Sequence, residues 1–571
     1  MKLRSLSITV LAATLNLMAV PGRADEDVGA YLAALQARYQ NDFTAAAEHF
    51  TRALARDPSN PALMENAIAS LVGLGEIDRA VPIAQRIEDA DLLSQVAHMV
   101  LIADEGRREA YDELLDRVYR NRGVGELADG LISAWAHMGK GDMKTALELF
   151  DEVADQRGLR SFAVYHKALA LASVGDFESA EQIFAGESDG PMQRTRRGTM
   201  AWAQVLSQLE RNEEAVKIID EVFGTDLDPE ITELRRQLAE NERLTFSIIG
   251  GARDGVAEVF FSLGRALQVD AGQDYVLLYA RIAEYLTPDN VDAILMTAEL
   301  LENLQRHELA TTAYRRVPRD HPSHYLAELG RGEALRRSGK VDAAVEVLEQ
   351  LSQTHADVPV VHVSLGDLYR QLEDFGGSAK AYDRALELYA ERDNDQWFVH
   401  YARGISYERL GEWEKAEADF RKALELNPEH PQVLNYLGYS MVEKRINLDE
   451  ALDMIERAVA ARPDSGYIVD SLGWVLYRLG RYEEAIGHME RAAELEPVDP
   501  VVNDHLGDVL WAVGRYQEAI FQWHRALSFV DQGESASDVD PERIRRKLEV
   551  GLDQVLEEEG SAPLRVVDDD G

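Results

Sequence analysis

Apolar positions recur along this chain with the period of an amphipathic helix, and the helices that they predict come in pairs. Residues 470–497 read DSLGWVLYRLGRYEEAIGHMERAAELEP, with two such stretches around a glycine, and the pattern returns at 504–530 as DHLGDVLWAVGRYQEAIFQWHRALSFV. Turn glycines stand at the same place in four units, at Gly339, Gly411, Gly480 and Gly514. The pattern predicts helix–turn–helix units over much of the chain.

A small residue marks the first helix of each unit, and the interval between these anchors is nearly constant apart from one longer step. They are Gly332, Gly366, Gly404, Gly438, Gly473 and Gly507. A large apolar residue follows each anchor, at Leu348, Tyr382, Phe420, Ile455, Met489 and Trp523. Small residues let two helices cross closely and large ones fill the space beside them, so each unit has an apolar face that a neighbouring unit must cover. A bulky side chain at Gly473 is expected to overpack that crossing.

This spacing of small, large and turn residues resembles the tetratricopeptide repeat family, whose helix–turn–helix unit is about 34 residues long. The match is specific over residues 326–530, and weaker units with the same period precede them. The resemblance implies an all-α fold, an α-solenoid of tetratricopeptide helix–turn–helix repeats that form a right-handed superhelix. It also implies that the first helix of each unit lines a concave groove.

The repeat period predicts the organisation of the chain. The expected segments are a signal peptide over 1–24, an N-terminal array of degenerate repeats over 25–227, an irregular helical joint over 228–273, a C-terminal array over 274–531, a capping helix over 541–559 and a disordered acidic tail over 560–571. The joint loses the repeat register and carries the turn-rich tract SIIGGARDG. A pair of ordinary helices with a long connection explains this segment equally well.

The N-terminal segment has the order of a secretory signal peptide. Lys2 and Arg4 precede an uncharged apolar run over 6–20, and small residues lead to a predicted cleavage site after Ala24. The run is shorter than the roughly 20 residues that span a bilayer, so an uncleaved anchor is the less favoured alternative. The sequence has no cysteine and therefore no site for a lipid anchor or a disulfide. We expect a periplasmic or otherwise exported protein without membrane insertion after cleavage.

The chain is acidic, with a formal net charge of −42 at pH 7. Nucleic acids and anionic membranes attract basic surfaces, so neither is an expected partner. No phosphate loop, HExxH helix or GxSxG turn occurs, and the sequence predicts no catalytic residue, no metal site and no cofactor. A non-enzymatic function is the leading hypothesis; an enzyme with its site in the 228–273 joint is the alternative.

Counting from the anchors gives the positions that would line the groove in the last units. They are Asn435, Tyr439, Asp470, Trp474, Tyr477, Arg478, Asp504, Asp508 and Trp511. Asn435, Asp470 and Asp504 would bind the backbone amides of an extended peptide, and the aromatic rings would supply apolar contact. This hypothesis requires these side chains to face solvent while the partner is absent. A modest rotation of the helices would instead bury Tyr477 and Trp511 in the core.

Two stretches, residues 435–485 and GVAEVFFSLGRAL at 255–267, resemble a group of exported proteobacterial repeat proteins. One lipid-anchored member of that group is an adaptor for a carboxyl-terminal processing protease. The resemblance implies a protein-binding scaffold or adaptor of the cell envelope, with a protein or peptide partner, such a protease being one candidate. A structural strut in an envelope assembly is the alternative, and self-association stays open.

Overall fold

The computed structural model describes residues 24–187, 194–224, 227–389, 396–530, 539–561 and 564. These residues form 31 α-helices, and no β-strand occurs among them. They divide into two compact units, Met1–Leu348 and Glu349–Gly571. Except for Ala24, the signal peptide predicted over 1–24 lies outside the described residues, as does most of the acidic tail predicted over 560–571.

Most helices are 12 to 14 residues long and follow one another in antiparallel pairs, as the repeat period predicts. The first helices run α1 Ala24–Tyr39, α2 Phe43–Leu54, α3 Pro61–Leu74, α4 Ile77–Asp89, α5 Gln95–Arg107, α6 Tyr111–Tyr119, α7 Glu126–Gly139, α8 Met143–Ala154, α9 Arg160–Ser173, α10 Phe177–Phe184, α11 Arg196–Gln208 and α12 Asn212–Phe223. They continue with α13 Pro229–Ala239, α14 Ala252–Leu267, α15 Gln273–Leu286, α16 Val291–Asn303, α17 His307–Tyr314, α18 His324–Arg337 and α19 Val341–Thr354.

The second unit continues the same arrangement. Its pairs are α20 Pro359–Gln371 with α21 Phe375–Leu388, α22 Trp397–Arg409 with α23 Trp413–Leu426, α24 Pro431–Glu443 with α25 Leu448–Ala461, α26 Gly466–Arg478 with α27 Tyr482–Leu495, and α28 Pro500–Ala512 with α29 Tyr516–Phe529. The chain then forms α30 Pro541–Val550 and α31 Leu552–Glu558. The first helix of a pair is called its A helix below, and the face formed by successive A helices is called the A-helix face.

Local chemistry accounts for the ends of these helices. Aspartate and asparagine side chains accept hydrogen bonds from the first free backbone amides, as Asp142 Oδ1 does from the Thr145 amide at 3.1 Å. Proline occupies the first turn of several A helices, where its missing N–H costs nothing. The four turn glycines have φ between +76° and +79°, a conformation that other residues adopt at a steric cost. The predicted turns are confirmed.

The predicted crossings are confirmed as well. A β-carbon added at Gly473 would lie 2.1 Å from Met489 Sδ, and one at Gly507 would lie 2.4 Å from Trp523 Cδ1. The other anchors approach the large residue of their own unit in the same way. The all-α solenoid of paired helices is therefore the fold of this chain. None of the described helices combines the length and apolar character that crossing a bilayer requires.

The 228–273 segment contains α13, a non-helical stretch over 240–251 and the whole of α14. In the first unit α14 packs against the A helices α5, α7 and α9, while α15 packs against α3 and α5. The chain therefore covers part of its own A-helix face in this unit. The residues predicted as a capping helix form the two short helices α30 and α31, with Ile544, Leu552 and Val555 buried.

Candidate functional site

The nine groove positions predicted from the sequence lie on three successive A helices, α24, α26 and α28. Four of them are buried, with Asp470 4%, Trp474 6%, Tyr477 7% and Asp508 1% exposed. The expectation that all nine face solvent is therefore wrong for these four. The remaining members are partly exposed, namely Asn435, Tyr439, Arg478, Asp504 and Trp511.

Trp474 joins the three A helices through an aromatic stack. Its ring lies parallel to that of His505 on α28, with 3.9 Å between centroids, and the Tyr477 ring lies 4.9 Å away. The indole N–H donates to Glu443 Oε1 at the end of α24, at 2.6 Å. The Arg478 guanidinium lies 4.8 Å from the centre of the Trp474 ring. Trp474 thus connects α24, α26 and α28, and these contacts explain its burial.

A buried ion pair lies beside this stack. His505 Nδ1 lies 2.9 Å from Asp470 Oδ2, and both side chains are almost fully buried. Burial by itself lowers the pKa of His505, but the Asp470 carboxylate more than offsets this and leaves the pKa above its usual value. The Asp470 Oδ1 atom has no hydrogen-bond partner among the described residues. Asp470 therefore holds two A helices together, a role that the groove hypothesis did not include.

The acidic end of the face is neutralised by the C-terminal helices of the chain. Lys547 of α30 is fully buried, and its Nζ donates to Asp504 Oδ1 at 2.8 Å and to Asp508 Oδ1 at 2.5 Å. Arg543, one turn earlier, lies 3.4 Å from Asp508 Oδ2. Burial raises the pKa of Asp504, although the Lys547 charge opposes this shift. Asp504 and Asp508 are thus occupied within the chain.

The same C-terminal segment extends back along the face. The Trp511 indole N–H donates to Asp553 Oδ2 at 2.8 Å, and a β-carbon at Gly551 would lie 2.7 Å from the Trp511 ring. Beyond α31, Ser561 Oγ accepts from Arg445 Nη2 at 3.2 Å, at the end of α24. A rotation of the helices was expected to bury both Tyr477 and Trp511 in the core. Tyr477 is buried, whereas Trp511 is only half-buried. Asn435, Tyr439 and Arg478 are the partly exposed members of the predicted site on α24 and at the end of α26.

In the first unit, the A helix α11 binds an extended stretch of the chain itself. Gln204 Oε1 accepts from the Ser247 amide at 2.9 Å, and its Nε2 donates to Ser247 Oγ at 3.0 Å. Ser207 Oγ accepts from the Leu244 amide at 2.9 Å, and Gln208 donates to the Leu244 carbonyl. Polar side chains at this face therefore hold the backbone of an extended peptide.

Helix α14 completes the covering of the face in the first unit. The fully buried Trp135 of α7 packs against Gly255, where a β-carbon would lie 2.1 Å from the indole ring. The Trp135 indole N–H donates to His166 Nδ1 at 3.0 Å, and burial lowers the pKa of His166 to about 3. The repeat period does not predict this contact. The signal was present in GVAEVFFSLGRAL, which is apolar on nearly all sides and therefore typical of a helix buried all round.

A cavity of about 760 Å³ remains between α9, α11, α14, α16 and α18. Tyr165 donates to Glu258 at 2.8 Å, and Arg197 binds both Glu258 and Asp292. Although burial raises the pKa of Asp292, the Arg197 and Arg196 charges lower it below the usual range. The Tyr165 hydrogen bond and the Arg197 ion pairs connect α9, α11, α14 and α16. They account for polar side chains in the cavity walls. Within the described ranges, no three His, Cys, Asp or Glu side chains form a group suited to a metal ion.

A face of successive A helices that is built to hold polypeptide defines a class, the helical-repeat scaffolds for protein–protein interaction. Tetratricopeptide repeat profiles match residues 31–91, 295–359, 329–395, 397–430, 444–500 and 471–534, which together cover about half of the chain. The chain belongs to the tetratricopeptide repeat family.

Relatives with curated descriptions match shorter stretches. A TPR repeat-containing protein of Pseudomonas aeruginosa is 26% identical over 156 residues, which are 27% of this chain and 26% of that protein. A human protein O-mannosyl-transferase is 25% identical over 195 residues, 31% of this chain and 21% of that protein. The chain thus spans about a quarter of the length of these relatives.

Among solved structures, the Cut9–Hcn1 hetero-tetramer of the APC/C aligns with 92% of this chain and 96% of its own, at 15% identity and a TM-score of 0.37. That superposition is too loose to compare sites.

Proposed function

We propose that this chain is a non-enzymatic adaptor of the bacterial cell envelope that binds an extended segment of a protein partner on the A-helix face of α24, α26 and α28. Its partly exposed residues Asn435, Tyr439 and Arg478, with Trp511 at the edge, contact the partner. Asp470 and Trp474 hold the three helices in place beneath that surface. A carboxyl-terminal processing protease is the partner class that the sequence resemblance favours.

The observation that carries this proposal is the binding of the chain's own residues 244–247 to α11. Gln204, Ser207 and Gln208, which hold residues 244–247, lie one, four and five positions after the anchor Ala203. The same three positions after Gly473 are Trp474, Tyr477 and Arg478, and the first of them after Gly438 is Tyr439. The chain thus uses these positions to bind backbone once, on itself, which supports the use of the partly exposed ones, Tyr439 and Arg478, for a partner in the second unit.

We expect Tyr439→Ala together with Arg478→Ala to weaken partner binding by about 2 kcal/mol or more, as the loss of interface anchors does. The partner is first captured from an envelope fraction by chemical cross-linking to the full chain. Its affinity for each variant is then measured with purified proteins.

The matched control is Tyr119→Ala together with Arg491→Ala. Both residues are exposed and lie on second helices of their pairs, α6 and α27. If the control weakens binding as much as the face variant, or if neither does, the partner binds elsewhere and the proposed surface is wrong. Circular dichroism melting of both variants separates loss of binding from loss of fold.

The envelope location rests on the order of charged, apolar and small residues over positions 1–24, which is typical of a signal peptide. We expect expression in a bacterial host to yield a periplasmic protein whose N-terminus is Asp25, measured by mass spectrometry after osmotic shock. A protein that keeps Met1 and stays in the membrane or cytosolic fraction would contradict the proposed location but not the partner surface.

A further inference from the structure

A second cavity, of about 280 Å³, lies in the first unit between the α3–α4 turn, α15 and α17. Its apolar walls come from Leu74, Ile77, Leu309 and Ala313. Its charged walls come from Arg107, Arg281, Arg316 and Glu284. Three guanidinium groups therefore meet a single carboxylate, in a chain whose net charge is −42.

The three arginines are fixed by different contacts. Arg281 is 7% exposed; its Nε donates to the Gly73 carbonyl and its Nη1 to Glu284 Oε2, each at 3.2 Å. Arg316 pairs with the same Glu284 and donates to the Pro288 carbonyl at 2.9 Å. Arg107 stacks over the Tyr285 ring, 4.3 Å from its centre. Because Glu284 is shared, it cannot neutralise both guanidinium groups.

The acid–base behaviour of these arginines agrees with that imbalance. Burial lowers the pKa of Arg281 to about 10, and burial together with the neighbouring Arg281 charge lowers the pKa of Arg316. Arginines in the ion-pair networks of the same unit, such as Arg117 and Arg197, have raised pKa values because carboxylates outweigh their burial. A positive charge that burial disfavours is stabilised by an anion nearby.

Two other cavities of this unit have more carboxylates than arginines in their walls. The 410 Å³ cavity around Arg117 has three arginines and five carboxylates in its walls, and the 760 Å³ cavity has three arginines and four carboxylates. Arg117 and Arg197 are already engaged in ion pairs within the chain. Of these three cavities, that of Arg281 is the one with more arginines than carboxylates in its walls.

We propose that the Arg107–Arg281–Arg316 cavity binds a small dianion with phosphate or carboxylate groups. Guanidinium groups bind such oxyanions through paired N–H donors, and the planar fork of arginine suits them better than the ammonium of lysine. The volume of about 280 Å³ is just below the range typical of ligand cavities, which begins at about 300 Å³, so it suits only a small molecule. The apolar walls would contact the carbon skeleton of an organic anion.

Isothermal titration calorimetry with the full chain tests this proposal, with inorganic phosphate and succinate as probes in chloride buffer at constant ionic strength. We expect at least one probe to bind and to raise the melting temperature, since a ligand that binds only the folded state stabilises it. Arg316→Ala is expected to weaken that binding at least tenfold. Arg316→Lys should recover part of it, because lysine keeps the charge but not the fork. Binding of phosphate alone would assign the site to phosphate compounds, and binding of succinate alone to dicarboxylates.

The matched control is Arg315→Ala, which removes an exposed arginine from the next position, outside the cavity walls. It should leave the affinity unchanged. No heat of binding with either probe would overturn the proposal. So would equal affinities for Arg316→Ala and the unsubstituted chain, because the anion would then bind elsewhere. Melting curves of all variants without ligand show whether each one is folded, and Arg107→Ala provides a second test from the exposed rim of the cavity.

Discussion

Replacing Lys547 by methionine is expected to release the C-terminal helices α30 and α31 from the second unit. Methionine keeps much of the apolar length of lysine but leaves Asp504 and Asp508 without the charge that both bind. Removing one partner of a buried ion pair costs about 3–5 kcal/mol, since the remaining charge stays desolvated. The measurement is hydrogen exchange at residues 541–558. The free energy of the opening that permits exchange there should fall by about 3–5 kcal/mol.

A rescue variant separates charge from packing in this experiment. Adding Asp504→Asn and Asp508→Asn to Lys547→Met removes the unpaired charges and should restore much of the protection. Lys422→Met provides the surface control, because Lys422 is half-exposed and lies in a surface ion pair with Glu425. Such surface pairs contribute about 0–1 kcal/mol. If Lys547→Met behaves like Lys422→Met, the buried triad does not hold the C-terminal helices.

Replacing Trp135 by alanine is expected to have a comparable effect in the first unit. Trp135 is fully buried between Phe150 of its own pair, His166 of the next pair and Gly255 of α14. Truncating a buried tryptophan costs about 3–5 kcal/mol, because apolar contact is lost and a void remains. We expect protection from hydrogen exchange to fall over residues 126–173 and 252–267.

Tyr119→Ala is the control in the same unit, because that side chain is 77% exposed. It should change the protection of neither range. Loss of protection in α7 with unchanged protection in α14 would contradict the inferred dependence of α14 on Trp135. Repeat arrays need not unfold in a single two-state transition, so residue-level protection is a better measure here than one melting temperature.

The sequence was sufficient to predict the turns and the close contacts that form within one helix pair. The glycines at the turns and the close approach of Gly473 to Met489 depend on residues within one helix pair, and the period of the chain displays them directly. The contacts of Trp474 with Glu443 and His505 join different pairs. Counting from the anchor Gly473 places Trp474 on the groove side of α26 but does not show which neighbouring helix it contacts, because a small rotation exchanges solvent for the next A helix.

The contacts outside the repeat register were not predictable in this way. Lys547 lies 39 residues from Asp508, on a helix that no longer follows the period, and nothing local indicates the pairing. Glu258 and Tyr165 are separated by 93 residues. The identity of the nine groove positions as binding residues stays a prediction, and so do the segment boundaries assigned from the period.

The packing of α14 and α15 against earlier A helices has a consequence for how the chain folds. In an ordinary repeat array each unit contacts only its neighbours, so folding can proceed pair by pair along the chain. Here Arg281 bonds to Gly73 across 208 residues, and Tyr275 bonds to Gln95 across 180. Such long-range contacts slow folding, because a large loop must close before they form. During synthesis, the A helices α3, α5, α7 and α9 therefore keep an apolar face uncovered until α14 and α15 have been made.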